Sequence, residues 1–370
     1  MHLEKRLQRI HNRDYAYLVG SGTAGIYGIL KVMGFKNARV GIPNSVCMNV
    51  PLAVIFSGNQ PVYLDISIEN LGLSMESLEN CPVRLDVVIA IHSYGSVCNI
   101  EAISKYCKRQ NIFLVEDLAV AQGAKINGKP AGTFGDVSLV SFGKGKIVDV
   151  GHGGAVLTDN RDLLKELINL GKCLSRHTSM HDKRISRLNS YYTQLYNNYY
   201  GRGLKEHTDH FCERAIKSKD AFLFRFDLSY CEKIESGLKN IELNISTRKK
   251  YAEFLTNRLS DLNIEIFQPP EGSVHWRYNI FLKRKNRDII LHTLLRKGYK
   301  ISSWFPSVDL YFGKTNEIPV NTPISDHIGE TILNIWINHE VNEDYLISIS
   351  EEILQLLSDS MEDAHVCNAS

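Results

Sequence analysis

The fold class is decided by the run Asp86-Val87-Val88-Ile89-Ala90-Ile91-His92, which is apolar at consecutive positions rather than at alternate ones. Such a run is typical of a strand that is buried on both faces of a parallel sheet. The run Ile112-Phe113-Leu114-Val115-Glu116-Asp117 repeats the pattern, and the stretch between them from Ile100 to Arg109 has helical spacing. A strand, a helix and a second strand in this order predict a βαβ unit.

Further strands extend this unit in both directions. They are predicted at Tyr15 to Val19, Ala38 to Ile42, Pro61 to Asp65, Val137 to Phe142 and Gly154 to Thr158. Because strands alternate with helices, we predict an α/β fold with a mixed, mainly parallel sheet. The large domain is assigned to residues 1–240, with an atypical insert or loop-rich stretch at 176–220. Residues 241–370 are predicted to form a smaller C-terminal α+β domain, reached through one long helix from about Ser229 to Leu259.

The composition is that of an ordinary globular protein, with 370 residues, 44% of them hydrophobic, and a net charge of +2. So small a positive charge gives no indication of a nucleic-acid partner. The sequence contains no apolar run long enough to cross a bilayer and no export signal at its start, so we expect a cytoplasmic protein without a membrane contact. The eight cysteines, which include no C-x-x-C pair, are expected to be free thiols.

A glycine-rich turn, Gly20-Ser21-Gly22-Thr23-Ala24-Gly25, follows the first strand and opens a helix. It matches the G-x-G-x-x-G spacing of dinucleotide-binding enzymes, but that fold needs an acidic residue after the next strand. The next strand ends Val40-Gly41-Ile42-Pro43-Asn44, without an acid, which argues against a dinucleotide. Two interpretations stay open: a phosphate cradle formed by the N–H groups of Gly22, Thr23 and Ala24, and a tight turn with packing glycines.

Asp117 ends a buried strand, where ligands of parallel sheets bind. An unpaired carboxylate is costly there, so Asp117 should face a cation. A protonated pyridine ring, a metal ion and a helix cap are all compatible with this position.

Two lysines lie in the loop Ser141-Phe142-Gly143-Lys144-Gly145-Lys146-Ile147, which follows another buried strand. A lysine between glycines and an apolar run can lose solvent and act as an imine-forming amine. The alternative is a solvated loop lysine. The spacing is not that of a P-loop.

Metal ligation is a further possibility in the stretch 176–220. His177 and His181, and His207, His210 and Cys212, are ligand types at plausible spacings. They lie in a polar, irregular region without the H-E-x-x-H pattern, so we interpret them as exposed side chains and predict no metal site.

Six segments follow one another in a characteristic order: Ser21 to Ala24, Gly58 to Asp65, His92 to Gly95, Val115 to Asp117, Ser141 to Lys146, and Gly151 to Gly154. This succession resembles the DegT/StrS family of pyridoxal-phosphate (PLP) dependent sugar aminotransferases, which have fold type I. The resemblance is close from Tyr15 to Asp159 and looser after Asn240.

The resemblance implies a role for each matched residue. Lys146, not Lys144, falls on the lysine that binds PLP as an imine, and Asp117 falls on the carboxylate that pairs with the pyridine nitrogen. The remaining site residues that it implies are Gly22, Thr23, Ala24 and Ser141 at the phosphate, Cys47 and Val120 at the ring, and His92 and Tyr94 at the substrate. The substrates implied are a keto-sugar nucleotide and an amino donor, commonly glutamate, and the assembly implied is a homodimer. The expected products are the amino-sugar nucleotides of polysaccharide biosynthesis.

Several departures from the family pattern favour atypical chemistry. Val120 replaces a glutamine that bonds the cofactor's phenolic oxygen, Cys47 replaces a stacking aromatic residue, and His152 replaces an acidic residue. The segment that supplies an asparagine to the neighbouring subunit is absent, and Leu223 to Asp227 is its possible remnant. The alternatives are therefore a dehydratase or other PLP enzyme and a PLP-binding regulatory protein. Sugar dehydratases on this scaffold carry histidine in place of the lysine, so Lys146 argues against the first.

Overall fold

The computed structural model describes residues 2–199, 208–260, 264–312 and 318–367. It contains a seven-stranded sheet, a four-stranded sheet and two smaller two-stranded pairs. The strands are β1 Tyr15–Val19, β2 Arg39–Pro43, β3 Gln60–Leu64, β4 Val87–Ile91, β5 Phe113–Asp117, β6 Lys125–Ile126, β7 Lys129–Pro130, β8 Val137–Ser141, β9 Gly154–Thr158, β10 Ser175–Arg176, β11 Phe224–Arg225, β12 Glu265–Ile266, β13 Tyr278–Phe281, β14 Ile301–Ser302 and β15 Ile332–Ile335.

The larger sheet has the strand order β1-β9-β8-β5-β4-β2-β3. Neighbouring strands from β8 to β3 pair in parallel, whereas β9 is antiparallel to both β8 and β1. Every residue of β4, β8 and β9 is buried, as expected for strands covered on both faces. The predicted α/β fold with a mixed, mainly parallel sheet is confirmed.

Helices cover this sheet and connect its strands. Those of the first part of the chain are α1 His2–His11, α2 Gly22–Val32, α3 Asn49–Phe56, α4 Met75–Glu79, α5 Ile100–Gln110 and α6 Arg161–Cys173. Those of the later part are α7 Ser179–Tyr199, α8 Asp209–Lys217, α9 Lys219–Phe222, α10 Cys231–Lys239, α11 Ile241–Leu259, α12 Arg284–Arg296, α13 Asp309–Phe312, α14 Pro323–Thr331 and α15 Glu343–Cys367. None of the described helices is long and apolar enough to cross a membrane.

The polar stretch after α6 is more helical than its sequence suggests. Leu188, Tyr192 and Leu195 on α7 and Phe211 on α8 are buried in the same apolar core as the strands of the main sheet. The stretch was predicted to be loop-rich because its helical periodicity is weak. Tyrosines such as Tyr192 are buried in the core, and counting them as polar residues hid the apolar face of the helix. His207, one of the metal-ligand candidates, lies outside the described residues.

The predicted long helix from Ser229 to Leu259 is wrong in one respect, because it is divided into α10 and α11. Asn240 lies between them with φ −99° and ψ 9°, outside the helical region. Its side chain forms no capping hydrogen bond, and its N–H group instead bonds the Ser236 and Gly237 carbonyl oxygens at the end of α10. The four-stranded sheet, in the order β12-β13-β15-β14, follows α11 and packs with α12 and α15 around a separate apolar core. The domain boundary at residue 240 stays a prediction.

Candidate active site

The predicted site residues converge on the edge of the main sheet where β5 and β8 end. Asp117 is the last residue of β5, and Ser141 is the last residue of β8. Because β5 and β8 pair in parallel, both ends lie on the same edge. This edge is where open α/β sheets bind their ligands.

The first residue of α2 lies beside Ser141. A Cβ atom placed on Gly22 would be 3.6 Å from both Cβ and Oγ of Ser141. Ser21 caps the helix, and its Oγ accepts a hydrogen bond of 3.1 Å from the Ala24 N–H group. The helix start and a serine hydroxyl therefore meet in a cradle suited to an anion, although the Ala24 N–H group is already engaged.

The segment that could be a remnant of the asparagine motif packs on this cradle from the outside. A Cβ atom on Gly20 would be only 2.1 Å from the Phe224 carbonyl oxygen, so Gly20 has to be glycine. Ser21 Oγ donates a hydrogen bond to the Phe222 carbonyl oxygen at 3.4 Å. Phe222 and Phe224 thus contact the glycine-rich loop of their own chain.

Asp117 is buried, with 2% of its surface exposed. Burial raises the pKa of its carboxyl group, and a 2.7 Å hydrogen bond from the Ala119 N–H group and the positive charge of Lys146 oppose that rise. Because the carboxylate is short of positive charge, a protonated nitrogen placed against it would be stabilised. The pyridine ring proposed from the sequence is such a partner.

Lys144 and Lys146 have different surroundings. Lys146 is half-buried, and its charge acts on Asp117 and on the Cys47 sulfur. Lys144 is exposed, and its charge acts on Glu340 in the C-terminal part of the chain. Gly145 separates the two with a φ of +77°, which turns the backbone between them. Lys146, whose charge acts on Asp117, is therefore the lysine that the resemblance predicted to bind the cofactor.

The loop that carries Lys146 is held by hydrogen bonds at Gly145. Trp276 Nε1 donates to the Gly145 carbonyl oxygen at 2.5 Å, and the Gly145 N–H group donates to Asp149 Oδ2 at 2.6 Å. The indole of Trp276, which lies just before β13 of the smaller sheet, thus holds the loop that carries Lys146 at the edge of the larger sheet.

His92 was expected to contact substrate, but its ring is fully buried and bonded within the protein. Its Nδ1 accepts a 3.2 Å hydrogen bond from the Cys98 N–H group, which leaves the proton on Nε2. That proton is donated to Glu116 Oε1 at 3.0 Å. The carboxylate of Glu116 also accepts hydrogen bonds from the N–H groups of Gly132, Phe134 and Gly135. This geometry gives His92 a structural partner on each nitrogen, and we assign it no substrate contact.

Tyr94 is likewise engaged by the protein. Its hydroxyl lies 3.2 Å from Ser45 Oγ and accepts a 2.8 Å hydrogen bond from the Phe305 N–H group. Burial raises the pKa of this phenol, so it stays protonated. Its role in the structure is to join the end of β4 to the C-terminal part of the chain.

The two unusual positions at the expected ring site differ in their surroundings. Cys47 is half-buried, and burial raises the pKa of its thiol against the charge of Lys146. Val120 is buried among apolar side chains. Two residues further on, Gln122 is 1% exposed, and neither atom of its amide has a hydrogen-bond partner. A buried amide without a protein partner is rare, so Gln122 is free to bond a group that enters the site.

Arg277 is a functional candidate that the sequence interpretation missed. Its guanidinium is buried and lies over the rings of Trp276 and Trp336, at 4.1 and 4.4 Å from their centroids. A Cβ atom on Gly145 would lie 3.9 Å from its Nη2. Burial, with the charge of Arg248, lowers its pKa to about 9. No carboxylate among the described residues forms an ion pair with it. The signal that could have found it is an arginine next to a tryptophan, directly before the strand β13.

The architecture is that of fold type I aminotransferases. The structure of DesI with its TDP-sugar product superposes with a TM-score of 0.77 at 18% identity, covering 100% of this chain and 87% of that one. The chain belongs to the DegT/DnrJ/EryC1/StrS aminotransferase family, whose model matches residues 1–354. The resemblance inferred from the sequence is confirmed. Members of this family use PLP.

Several relatives have names that refer to nucleotide-linked sugars. GDP-perosamine synthase of Escherichia coli O157:H7 is 29% identical over 177 residues, which are 47% of this chain and 49% of that protein. UDP-N-acetyl-3-dehydro-alpha-D-glucosamine 3-aminotransferase of Acidithiobacillus ferrooxidans is 22% identical over 342 residues, 91% of this chain and 83% of that protein. The matched stretch spans less than half the length of several such relatives.

Val120→Gln tests whether the position that the family fills with an amide still faces the cofactor ring. An amide that donates to the phenolic oxygen stabilises its charged form, so the pH at which the bound cofactor's visible band changes should fall. One hydrogen bond to a charged group is worth about 1.5–3 kcal/mol, which corresponds to a shift on the order of one pH unit. Absorbance titration of parent and variant measures it. An unchanged midpoint with cofactor bound would mean that Val120 only packs, and Gln122→Leu would then be expected to raise the midpoint.

Proposed function

We propose that this protein is a PLP-dependent aminotransferase that converts a keto-sugar nucleotide into an amino-sugar nucleotide, with glutamate as the amino donor. The observation that carries the proposal is the meeting of Lys146, Asp117 and Ser141 at one edge of the sheet beside Gly22. The arrangement offers an amine, a buried carboxylate and an anion cradle, which are the groups that PLP needs. Relatives named for GDP-, UDP- and dTDP-linked sugars support the substrate class.

Each residue has a distinct task in this proposal. Gly22, Thr23 and Ser141 bind the phosphate, and Asp117 holds the proton on the ring nitrogen. When bound, the cofactor supplies a ring that withdraws electrons from the carbon bearing the amine. Lys146 holds the cofactor and then moves a proton through its Nζ, as a general base and then as a general acid. Because donor and acceptor use one site in turn, ping-pong kinetics are expected.

A screen of amino donors tests the proposal. The protein with bound cofactor is mixed with single L-amino acids, and the visible band of the lysine-bound cofactor is followed together with release of the keto acid. We expect glutamate to remove the band and release 2-oxoglutarate, and a keto-sugar nucleotide to restore it. Binding of PLP without a response to any donor would favour the alternative, a PLP-binding regulatory protein.

Arg277 is proposed to bind a negatively charged substrate group, because its buried guanidinium lies beside the lysine loop without an ion-pair partner among the described residues. The donor offers carboxylates and the sugar nucleotide offers phosphates, and arginine recognises both.

We expect Arg277→Met to raise KM for one of the two substrates about tenfold or more, since a charged hydrogen bond is worth about 1.5–3 kcal/mol. The melting temperature of the substrate-free protein should be kept or raised, because removing a buried unpaired charge removes its desolvation penalty. Arg277→Lys should recover little, since lysine lacks the planar fork. Steady-state kinetics in which each substrate is varied in turn measure both KM values. Unchanged KM values for both would assign Arg277 to packing alone.

A homodimer is also proposed, on the basis of the family's shared assembly. Light scattering coupled to size exclusion measures the mass directly. A monomer that keeps its full rate on dilution would contradict this proposal. The cytoplasmic location and the place in polysaccharide biosynthesis stay predictions.

A further inference from the structure

A second cluster of polar side chains lies behind the lysine loop, where three chain segments meet. His152 comes from the loop before β9, His177 follows β10, and Asp182 lies in the first turn of α7. One nitrogen of each imidazole and one carboxylate oxygen lie within 4.8 Å of one another. None of the three residues has a part in the proposed aminotransferase chemistry.

One of the distances in this cluster is that of a tetrahedral metal centre. Asp182 Oδ1 lies 2.9 Å from His177 Nε2, which is a hydrogen bond, and 3.6 Å from His152 Nε2. A tetrahedral ion with bonds of about 2.0–2.2 Å holds its ligand atoms about 3.3–3.6 Å apart. The contact with His152 matches this separation, and an ion would replace the hydrogen bond to His177 by widening it by a few tenths of an ångström, about 0.4–0.7 Å. Two imidazoles and a carboxylate are a ligand set that Zn²⁺ accepts in proteins.

Strand pairing and aromatic rings around the cluster hold the three side chains in place. The parallel pairing of β10 with β11 positions the backbone just before His177, and the Phe224 ring lies 4.8 Å from the His177 ring. The Tyr230 ring lies 5.2 Å from the His152 ring. Asp227 adds a second negative charge that acts on both histidines. An aromatic wall and an excess of carboxylate favour a cation between the two imidazoles.

His181 lies near the cluster but is bonded elsewhere. Its Nδ1 lies 2.8 Å from Thr178 Oγ1, and its Nε2 lies 3.3 Å from Ser175 Oγ. Its two nitrogens are therefore engaged, and the cluster has three protein ligands, with the remaining tetrahedral position left for water. The sequence interpretation considered His177 and His181 as a pair at helical spacing and predicted no metal. The fold instead pairs His177 with His152.

We propose that His152, His177 and Asp182 bind one Zn²⁺ ion, which ties the loop carrying Lys146 to the start of α7. The site is independent of the proposed aminotransferase function. The bound ion would link the two segments, because His152 lies in the same β8–β9 connection as Lys146. Occupancy would limit how far that connection can move away from α7.

Calorimetric titration with ZnCl₂ tests the site in untagged protein that retains its cofactor and has been stripped of metal by a chelator. We expect one ion per chain with a Kd in the micromolar range or below, and a higher melting temperature when zinc is added. His152→Gln, His177→Ala and Asp182→Asn should each weaken binding at least about tenfold. His210→Ala, which removes an exposed histidine on α8, is the matched control and should change nothing.

Asp182→Asn separates loss of zinc binding from loss of the fold. It keeps the size of the side chain, which is 45% exposed, so the variant should fold as the parent does. Its melting temperature without zinc should equal that of the parent, while its zinc-dependent rise should disappear. Zinc binding of equal strength in the parent and all three variants would overturn the proposal, since the ion would then occupy cysteines or other surface groups. Binding only at millimolar zinc would overturn it as well. Neither result would touch the aminotransferase proposal, which the donor screen decides.

Discussion

Replacing Lys146 with alanine should remove both the visible absorbance of the bound cofactor and transamination, whereas Lys144→Ala should keep both. The reason is position: the charge of Lys146 acts on Asp117 and Cys47, while Lys144 is exposed and its charge acts on Glu340. Loss of a positioned proton-transfer group alone lowers rates by about 10²–10⁴-fold, and the covalent attachment is lost as well. We therefore expect a decrease of about 10³-fold or more.

The two alanine variants form a matched pair, because both lysines flank Gly145 in one loop. Absorbance spectra, bound-cofactor content and single-turnover rates with glutamate should be measured on each. Retention of the visible band in Lys146→Ala, with its loss in Lys144→Ala, would reverse the assignment. Melting temperatures recorded beside the spectra show whether either variant has lost its fold.

Asp117→Asn should lower the transamination rate by about 10²–10³-fold, the range found when one preorganised electrostatic group is removed. An asparagine of the same size cannot hold a proton on the ring nitrogen by its charge. The protein should remain folded, because burial of the Asp117 carboxylate is itself unfavourable, as its raised pKa indicates. Single-turnover rates with glutamate and cofactor-binding titrations measure the effect.

Glu116, the neighbouring carboxylate, serves as the control, because its replacement should lower the stability and leave the transamination rate largely unchanged. Glu116 accepts one hydrogen bond from His92 and three from backbone N–H groups. Glu116→Gln places an amide N–H group against these donors, so the free energy of unfolding should fall by about 3 kcal/mol or more. The rate of the remaining folded protein should change little. An Asp117→Asn variant with the parent's rate, or a Glu116→Gln variant with the parent's stability, would contradict this division of roles.

Much of the fold could be predicted from local sequence. The consecutive apolar residues of β4 and β5 indicated a sheet covered on both faces, and the resemblance, through the spacing between Ser141 and Lys146, favoured one lysine of two, an assignment that stays a prediction. These are signals within a few residues of one another. The substrate contact that the resemblance implied for His92 has no support in the structure, because its ring bonds Glu116, a partner that becomes its neighbour only in the folded sheet.

The features that were missed depend on contacts between distant segments. Arg277 becomes notable only when the fold places it beside Gly145 and between two tryptophans. The His152, His177 and Asp182 cluster is assembled from three segments, so spacing along the chain could not indicate it. The division between α10 and α11 at Asn240 was missed because helical periodicity continues on both sides of it.

The pairing of β1 with β9 also has a consequence for how the chain folds during synthesis. Its register joins Tyr15 to Thr158, so β1 pairs with a strand that is synthesised far later. Until then β1 remains without its hydrogen-bonding neighbour, and long-range pairing of this kind slows folding. A chain that lacks β1 would leave the buried strand β9 as an open sheet edge, which is a template for aggregation. β1, remote in sequence from Lys146, therefore protects the sheet that supports this lysine from self-association.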